Sequence, residues 1–553
     1  MQVIKEEFNL LEEPWILAMN HKGIVEELSL TDVFRRAHEF QELAGELPTQ
    51  DMAVLRLLLA VLHSVFGRYD VCGKNSSISA LAGASPADAK RRWKTLWDKG
   101  EFPKEVIEKY LLKFKDRFWL FHSDNPFYQM AALADRNEKD FFGPFDVSKL
   151  NGVLLEGDNK SRLFPQLTGK HKKSLTYAEA ARWLLHCNAF AETFGKLEAK
   201  NKSKNALTLG VGWLGKLGLI AAAGNNLFET LMLNLVLLPN GGKTLWGDEV
   251  PIWEIDGADN SERVEIIIPN NPSELLTLQS RRILLEREDG KVTKYRFVSG
   301  AFFAKENALN EQMTVWKNAA KKETDPPVYE PKRHLPSKRI WRDFSSIAAH
   351  GKKRPGVVEW LSVLKNEKLV SCSYFRFMTA SVSYGTMQAM VDDVFLDSIS
   401  FNAGLLTDLG AAWVDRIIRE IETTDLLVSQ IWFMARDLTI AGGGADGEGY
   451  GNMAREQAYH MLDIPFCQWL ERIHPEDETD DVCEEWFVTA RELIRRLGRE
   501  LVAKCSPQAF TGRQAKVREK MRLYTASGVY NNFLSNTKDR AALEKSNRKG
   551  ARA

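Results

Sequence analysis

The chain has 553 residues, which is too long for one simple core. Chains of this length form roughly two to four domains. Hydrophobic residues make up 44% and charged residues 27%, as in ordinary globular proteins. The formal net charge is +1, from 75 Lys and Arg against 74 Asp and Glu. This balance excludes a uniformly basic nucleic-acid coat and leaves only local patches for such a role.

The cysteines and the N-terminal residues indicate the cellular compartment in which the protein is expected. The six cysteines are scattered without a C-x-x-C pair, so they predict neither a zinc site nor a disulfide framework. The first residues lack the basic and then apolar pattern of a signal peptide. The most apolar long stretch, 218–239, is interrupted by polar residues and predicts a buried helix rather than a membrane span. We therefore expect a cytoplasmic protein without metal, cofactor or membrane partner.

The first part of the chain mixes short elements of both types. Residues 8–16 predict a short strand that is stopped by Pro14, and a helix is expected to begin at Leu30. Apolar residues at helical spacing predict helices over 52–66 and 177–190. Residues 250–296 alternate between apolar and polar and predict strands. This pattern is typical of a mixed α/β domain, for which we predict the bounds 1–396.

Several loops of this first part are basic and carry aromatic residues. They cover 163–173, 196–204 and 317–355, and the aromatic residues in or near them are Phe164, Trp213, Trp316 and Trp341. Lys and Arg suit contact with a phosphate backbone, and exposed aromatic rings suit stacking on bases. Such loops are also found as merely solvated surface.

Beyond residue 401 the apolar residues recur with helical spacing. They predict four or so antiparallel helices, which form a bundle. The last of them is expected over 513–532, with Arg513, Lys516 and Lys520 along one face where they could hold a nucleic-acid backbone. The tail after Thr537 is polar and is predicted to fray. The fold class is therefore α+β, with an all-α four-helix bundle over 397–553.

A polar, turn-prone stretch over 381–390 lies where these two parts meet. Its Ser, Thr and Gln side chains can hydrogen-bond a partner without bringing a charge. Gly385 allows a tight turn or a close approach. The stretch is a candidate recognition segment, although an ordinary inter-domain loop would have the same composition.

Catalytic motifs are not evident in the sequence. Gly210, Gly212 and Gly215 match G-x-G-x-x-G, with Glu229 near the place of a ribose-binding acid, so an NAD-type oxidoreductase is one alternative. A dinucleotide site needs a strand before the first glycine and a helix opening on the third. A helical scaffold without a nucleic-acid role is a second alternative. No nucleophile elbow or H-E-x-x-H occurs, and we expect a protein that is not an enzyme.

Five segments together resemble one family. They are 8–16 (F-N-L-L-E-E-P-W-I), 47–51 (L-P-T-Q-D), 122–127 (H-S-D-N-P-F), 174–185 and 226–231 (N-L-F-E-T-L). In order and spacing they resemble the large subunit of the type I-E CRISPR surveillance complex Cascade, the CasA family. The similarity runs from Phe8 into the C-terminal helices.

The resemblance implies a non-catalytic role in antiviral defence. Members of this family recognise the protospacer-adjacent motif (PAM) of foreign double-stranded DNA and help to open the duplex into an R-loop. They also form the docking platform for the helicase–nuclease. The implied partners are target DNA, the 5′ handle of the CRISPR guide RNA, the helicase–nuclease and the other Cascade subunits, namely the handle-binding, backbone and small subunits.

The resemblance also implies site residues. Gln388 falls at the position of the family's glutamine wedge, and Met387 stands where the best-known pattern has asparagine. Lys305 is the candidate for the lysine finger. The family's glycine loop falls within 202–212, which contains Lys202, Lys204, Gly210 and Gly212. The loop with Phe164 and Gln166 resembles the one that contacts the guide RNA handle and the neighbouring subunit.

Overall fold

The structure is a computed structural model that describes residues 6–136, 141–154, 170–194, 210–256, 265–266, 269, 271–303, 310–322, 325–517 and 520–552. The chain divides into two compact units. The first holds 1–336, 353–371 and 375–398, and the second holds 337–352, 372–374 and 399–553. The sequence-based domains, 1–396 and 397–553, did not include 337–352 and 372–374 in the second one.

The elements follow one another in three groups. Up to residue 190 they are β1 (Glu7–Asn9), β2 (Ile16–Asn20), β3 (Val25–Leu28), α1 (Leu30–Arg36), β4 (Phe40–Leu43), α2 (Pro48–Phe66), α3 (Pro86–Lys99), α4 (Lys104–Lys113), β5 (Trp119–Phe121), β6 (Phe142–Asp146), α5 (Lys170–Lys173) and α6 (Tyr177–Phe190). Up to residue 402 they are β7 (Ala221–Ala223), α7 (Leu227–Asn234), α8 (Pro239–Gly242), β8 (Glu265–Ile266), α9 (Pro272–Leu276), β9 (Arg281–Glu288), β10 (Lys291–Ser299), β11 (Phe302–Phe303), β12 (Trp316–Asn318), β13 (Tyr329–Pro331), α10 (Phe344–Ala348), α11 (Gly356–Asn366), β14 (Tyr374–Tyr384) and β15 (Val391–Asn402). The remainder are α12 (Ala411–Ala441), α13 (Gly447–Arg472), α14 (Thr479–Ala503), α15 (Pro507–Thr511), β16 (Arg513–Val517), β17 (Lys520–Tyr524), α16 (Ala526–Asn536) and α17 (Arg540–Arg552).

The first unit is built from small sheets around a central helix. Three-stranded sheets run in the orders β3-β2-β4, β6-β10-β9 and β15-β14-β7. Helix α2 is apolar on all sides and is packed against α6 and α9, so its side chains are almost all buried. It is long and apolar enough to cross a membrane by length and composition alone, but its burial is that of a core helix.

Helix α6 has the bounds that the sequence predicted. Thr176 accepts a hydrogen bond from the backbone N–H of Glu179, and the Glu179 carboxylate accepts from the backbone N–H of Thr176. This reciprocal capping satisfies two of the free donors at the helix start. The helix ends at Phe190, and the residues that follow lead directly to the candidate site.

The prediction of one buried helix over 218–239 is wrong. The stretch is buried, but it forms strand β7, a turn and helix α7. The chain turns after Gly224, which packs so closely on Glu229 that a side chain at Gly224 would overlap it. Asn226 then caps α7 by accepting from the backbone N–H of Glu229 at 2.8 Å.

The second unit contains the expected bundle, in which α12, α13, α14 and α16 pack together. The first apolar stripe of the predicted bundle runs from Leu405 to Ile421 and the second from Leu427 to Leu438. Both lie largely on one continuous helix, α12, although Leu409 of the first stripe precedes it and is 87% exposed. The indole N–H of Trp486 on α14 donates to the Thr424 hydroxyl of α12 at 3.0 Å. The α+β fold class is thus confirmed.

The helix predicted over 513–532 is wrong in its first half. Residues 513–524 form the antiparallel hairpin of β16 and β17, in which Arg513 pairs with Tyr524 and Val517 with Lys520. Gly512, at a φ of 83°, breaks the helical path, and Thr525 caps a new helix, α16. Since strand residues alternate between two faces, there is no single helical face for Arg513, Lys516 and Lys520.

The polar tail also differs from its prediction, because it forms helix α17. Arg540 donates to both carboxylate oxygens of the buried Glu420, at 3.0 and 2.8 Å, and to the carbonyl of Cys483 at 2.9 Å. Leu543 is buried as well. The buried carboxylate of Glu420 requires a positively charged partner, and Arg540 supplies it. This ion pair explains why the polar tail forms an ordered helix.

Candidate nucleic-acid interface

The candidate recognition stretch forms the end of a β-hairpin rather than a loop between domains. Strands β14 and β15 are joined by Gly385–Met390, which we call the hairpin tip. The backbone N–H of Gly385 donates to the carbonyl of Met390 at 2.9 Å, and that of Gln388 donates to Gly385 at 2.9 Å. The tip is therefore a defined turn of the first unit.

The hairpin tip has an unusual backbone. Met387 and Gln388 have φ values of 55° and 58°, in the left-handed region that favours glycine. Each such residue costs about 1–3 kcal/mol and persists only where the surroundings impose it. The Met387 side chain is 83% exposed, so no burial of its own offsets this strain. Strain combined with exposure is typical of a functional turn.

The residues after helix α6 hold the hairpin tip in place. The backbone N–H of Thr193 donates to the carbonyl of Gln388 at 2.9 Å. The carboxylate of Glu192 accepts from the backbone N–H of Val391 at 3.0 Å. The Tyr384 hydroxyl donates to the carbonyl of Phe190 at 2.8 Å, and burial raises the pKa of this phenol, which keeps it a donor.

The glycines at 210–215, which we call the glycine segment, lie beside the hairpin tip. The backbone N–H of Gly212 donates to Ala191 at 2.9 Å, and a side chain at Gly212 would overlap the Ala189 backbone. A side chain at Gly215 would overlap the Tyr384 hydroxyl. Gly210, by contrast, has open space, because the nearest atom to an added Cβ is Lys216 Cε at 3.9 Å. Gly212 is thus required for packing, whereas Gly210 is accessible.

A buried arginine, Arg281, links the residues after helix α6 to the glycine segment. Arg281 Nη2 donates to the carbonyl of Glu192 at 2.9 Å and to that of Gly210 at 2.6 Å. The same guanidinium therefore fixes the chain before 195–209 and the chain after it. Lys202 and Lys204 lie within that stretch, outside the described residues.

Below the glycine segment lies a buried ion pair. Arg56 donates to both oxygens of Glu311, at 2.8 and 3.0 Å, and the indole N–H of Trp213 donates to Glu311 at 3.0 Å. Burial acts to raise the pKa of Glu311, but the charge and hydrogen bonds of Arg56 outweigh it, so this pKa is lowered. Trp213 also packs on Phe303, with ring centroids 5.0 Å apart.

Lys305 lies outside the described residues, as do Phe164 and Gln166. The chain on either side of Lys305 is described, however. Phe303 and Glu311 both contact Trp213 of the glycine segment. The structure therefore brings together two of the three predicted PAM-contacting elements, the hairpin tip and the glycine segment. The described residues on either side of the third element, the lysine finger, contact the glycine segment.

The predicted backbone-contacting residues of the second unit lie on the β16–β17 hairpin. Arg513 is exposed, and its Nη1 donates to the carbonyl of Gly443 at 3.4 Å. Lys516 lies on β16 and Lys520 on β17.

Three of the aromatic residues considered for stacking are buried, which corrects that interpretation. Trp213, Trp316 and Trp341 have relative exposures of 5%, 5% and 1%. Trp316 packs under Lys353, and the indole N–H of Trp341 donates to Asp463 at 2.7 Å. Indoles at this depth serve packing and cannot stack on bases in this conformation.

Sequence reasoning missed Arg333. With the Gln388 amide assigned so that its oxygen faces this guanidinium, the oxygen accepts from Arg333 Nη1 at 2.8 Å and from Nη2 at 3.2 Å. The guanidinium carbon also lies 5.5 Å from the centroid of the Tyr384 ring. Arg333 belongs to the Lys/Arg/Pro-rich stretch 317–355, where no pattern distinguishes it from its basic neighbours.

Cofactor and metal chemistry find little support in the described part of the chain. Gly215 lies in a three-residue 3₁₀ turn, Leu214–Lys216, and the next strand, β7, pairs antiparallel with β14. The third glycine therefore does not open an α-helix, and the dinucleotide-binding alternative fails. Among the described residues, no group of three or more His, Cys, Asp or Glu side chains could hold a metal ion.

The chain therefore has an α+β fold in which a strained polar hairpin tip lies beside a glycine segment. Residues 9–497 match the family model described as CRISPR-associated protein Cse1. The chain belongs to this family, and the resemblance inferred from its sequence is confirmed.

Individual relatives agree with this assignment. CRISPR-associated protein CasA/Cse1 of Thermus thermophilus is 36% identical over 256 residues, which are 45% of this chain and 42% of the relative. The chain thus spans less than half the length of that curated relative. The crystal structure of Thermobifida fusca Cse1 has a TM-score of 0.78 at 28% identity, covering 97% of this chain and 99% of that one. A chain of a structure titled "CRISPR RNA-guided surveillance complex" shares the fold, with a TM-score of 0.69 at 16% identity over 96% of this chain and 99% of that one.

Proposed function

We propose that this chain is the PAM-recognising subunit of an RNA-guided DNA surveillance complex. The observation that carries the proposal is the arrangement of the hairpin tip and the glycine segment, which are far apart in sequence. Residues 190–193 bind both of them, and Tyr384 packs against Gly215. The family resemblance implies DNA contact for both segments, and their proximity supports a shared role.

The chemistry of the hairpin tip fits insertion into a minor groove. Proteins that open or kink DNA often insert an apolar side chain between base steps, at a cost of a few kcal/mol in lost stacking. Met387 is apolar, exposed and held at the apex of a defined turn. Gln388 follows it and carries the polar group that can contact a base edge. Because the minor groove mainly separates A·T from G·C, a degenerate PAM is expected.

The remaining parts of the role are those of a non-enzymatic platform in the cytoplasm. In this proposal the chain assembles with the other subunits and the 5′ handle of the guide RNA through the loop that holds Phe164 and Gln166. It then promotes R-loop formation and offers a docking surface to the helicase–nuclease. The family assignment and the shared fold with a surveillance-complex chain support this part.

The test is Gln388→Ala in the assembled, RNA-loaded complex. We expect binding to a PAM-bearing duplex to weaken about tenfold, or about 1.4 kcal/mol. Binding to a target that is already unwound should be unchanged, because the wedge is not needed there. Gln457→Ala, the same change at an exposed site of helix α13, is the matched control.

Two outcomes would contradict the proposal. An equal loss on the duplex and on the unwound target would mean that Gln388 is only structural. A chain that co-purifies with neither small RNA nor other subunits would favour the helical scaffold without a nucleic-acid role.

A further inference from the structure

The hydrogen-bonding groups of Gln388 are almost all committed within the protein. Its backbone N–H donates to Gly385 and its backbone carbonyl accepts from Thr193, both at 2.9 Å. Its amide oxygen accepts from the two terminal nitrogens of Arg333, at 2.8 and 3.2 Å. The polar group that remains is the amide NH₂, which can only donate.

Arg333 is well placed to hold that amide. Its neighbours are anchored, since the backbone N–H of Lys332 donates to Val315 and the His334 ring contacts the carbonyl of Leu219, both at 2.9 Å. Its guanidinium lies over the ring of Tyr384, which is itself fixed through Phe190. Burial lowers the pKa of Arg333, but a guanidinium stays charged in proteins.

The two hydrogen bonds from the Arg333 guanidinium favour one orientation of the Gln388 amide. Among the described residues no carboxylate forms an ion pair with Arg333, so the amide oxygen is an important acceptor for a half-buried charge. Hydrogen bonds to a charged group are stronger than those between neutral groups. Rotating the amide by half a turn would set its NH₂ against the guanidinium donors and lose these hydrogen bonds.

We propose that Arg333 is a specificity-determining residue: it fixes the Gln388 amide with only its NH₂ available to the duplex, and so makes the hairpin tip select against a guanine at the base pair it contacts. This inference rests on the proposed function of the tip. In the minor groove, A·T and T·A pairs present only the acceptors adenine N3 and thymine O2. A G·C pair adds the guanine N2 amino donor, which a donor-only side chain cannot match.

A direct phosphate contact by Arg333 is the competing role. Such a contact carries no sequence information and adds about one unit to the salt dependence of binding. The position of Arg333, half-buried against Tyr384 and bonded to Gln388, favours the positioning role. The two roles differ in which duplexes a variant affects.

The experiment uses the assembled, RNA-loaded complex and a set of duplexes in which each PAM base pair is changed in turn between A·T and G·C. We expect the wild type to reject G·C at one pair by about tenfold or more, which corresponds to about 1.4 kcal/mol. Arg333→Met should reduce that rejection to less than about threefold, since the freed amide can turn its oxygen to the guanine amino group. In a Gln388→Met background, Arg333→Met should leave the ranking of duplexes unchanged.

The outcomes separate this inference from the function on which it rests. Retained discrimination in Arg333→Met, or an equal loss on every duplex with a shallower salt dependence, would overturn the role of Arg333. A wild type that binds all duplexes alike would instead contradict PAM recognition, and the inference with it. Should Arg333→Met fail to fold, Arg333→Gln removes the charge but keeps a polar side chain that can pair with the Gln388 amide in either orientation, and the same loss of discrimination is expected.

Discussion

The two β-hairpins for which we propose DNA contact are held in opposite ways. The hairpin tip of β14 and β15 is bound from several sides, through Thr193, Glu192 and Arg333, and it tolerates two left-handed residues. The β16–β17 hairpin has a regular five-pair register and exposes Met521 and Leu523 to 61% and 66%. Its Arg513 reaches only one described carbonyl, at 3.4 Å.

From this difference we infer different roles in DNA binding for the two hairpins. A side chain that reads base edges must be held in one geometry, because hydrogen bonds weaken steeply with misalignment. A side chain that contacts phosphate needs only charge and reach. We therefore expect changes around the hairpin tip to alter which duplexes bind, and changes in the β16–β17 hairpin to alter how tightly all of them bind.

The largest effect is expected at Gly212, which supports the hairpin tip through Ala191. In Gly212→Ala the new Cβ overlaps the Ala189 backbone, so the free energy of unfolding should fall by about 3 kcal/mol. PAM-dependent binding should fall with it. Gly210→Ala is the matched control, because its Cβ meets open space, and its stability should stay within about 0.5 kcal/mol of the wild type.

Thermal unfolding of the two variants measures this contrast. A loss of about 3 kcal/mol corresponds to a fall of several degrees in Tm for a domain of this size. Equal melting temperatures for Gly212→Ala and Gly210→Ala would contradict the packing role of Gly212.

A smaller effect is expected in the β16–β17 hairpin. Replacing Arg513, Lys516 and Lys520 by Ala should weaken binding to all PAM variants by a similar factor, roughly tenfold at low salt. The slope of log K against log salt should become shallower. If all three residues contacted phosphates, the slope would change by about 0.9 for each of them. Because the three residues do not share one helical face, we expect a smaller change in slope. A wild-type slope in this triple variant would mean that the hairpin faces solvent or a protein partner.

The smallest effect is expected from Asp392, an exposed carboxylate beside Gly385. Its charge repels phosphate, so Asp392→Asn should strengthen duplex binding by about twofold to threefold at low salt. The gain should vanish at high salt, where exposed charges are screened. An unchanged affinity at low salt would place the DNA path away from this side of the hairpin tip.

The sequence predicted helices better than it predicted hairpins. Helix α6 was predicted with its observed bounds because its capping residues and apolar spacing agree. The sequence wrongly predicts a helix over 513–524, because basic residues at spacings of three and four fit a helix and a hairpin alike. In the structure, Gly512 at a φ of 83° ends the preceding helix and Thr525 caps the next one, so the hairpin lies between them.

The candidate site, too, could be predicted from the sequence only in part. Gln388 and the glycine segment were found through a family resemblance, but their proximity depends on residues 190–193, which carry no distinctive pattern. Arg333 could not be singled out among the basic residues of 317–355. The stacking role considered for Trp213 and Trp341 was wrong because composition does not reveal burial.

The central claim is that the hairpin tip opens the duplex, and Met387→Gly tests it most directly. Glycine adopts a φ of 55° without strain, so this variant should fold at least as stably as the wild type while lacking the exposed apolar side chain beside the Gln388 wedge. The measurement is the fluorescence of 2-aminopurine placed at the first base pair beside the PAM, after mixing with the RNA-loaded complex. We predict a rise in fluorescence with the wild type and a much slower or smaller rise with Met387→Gly, with equal binding of an already unwound target. An identical rise in both proteins would contradict the account.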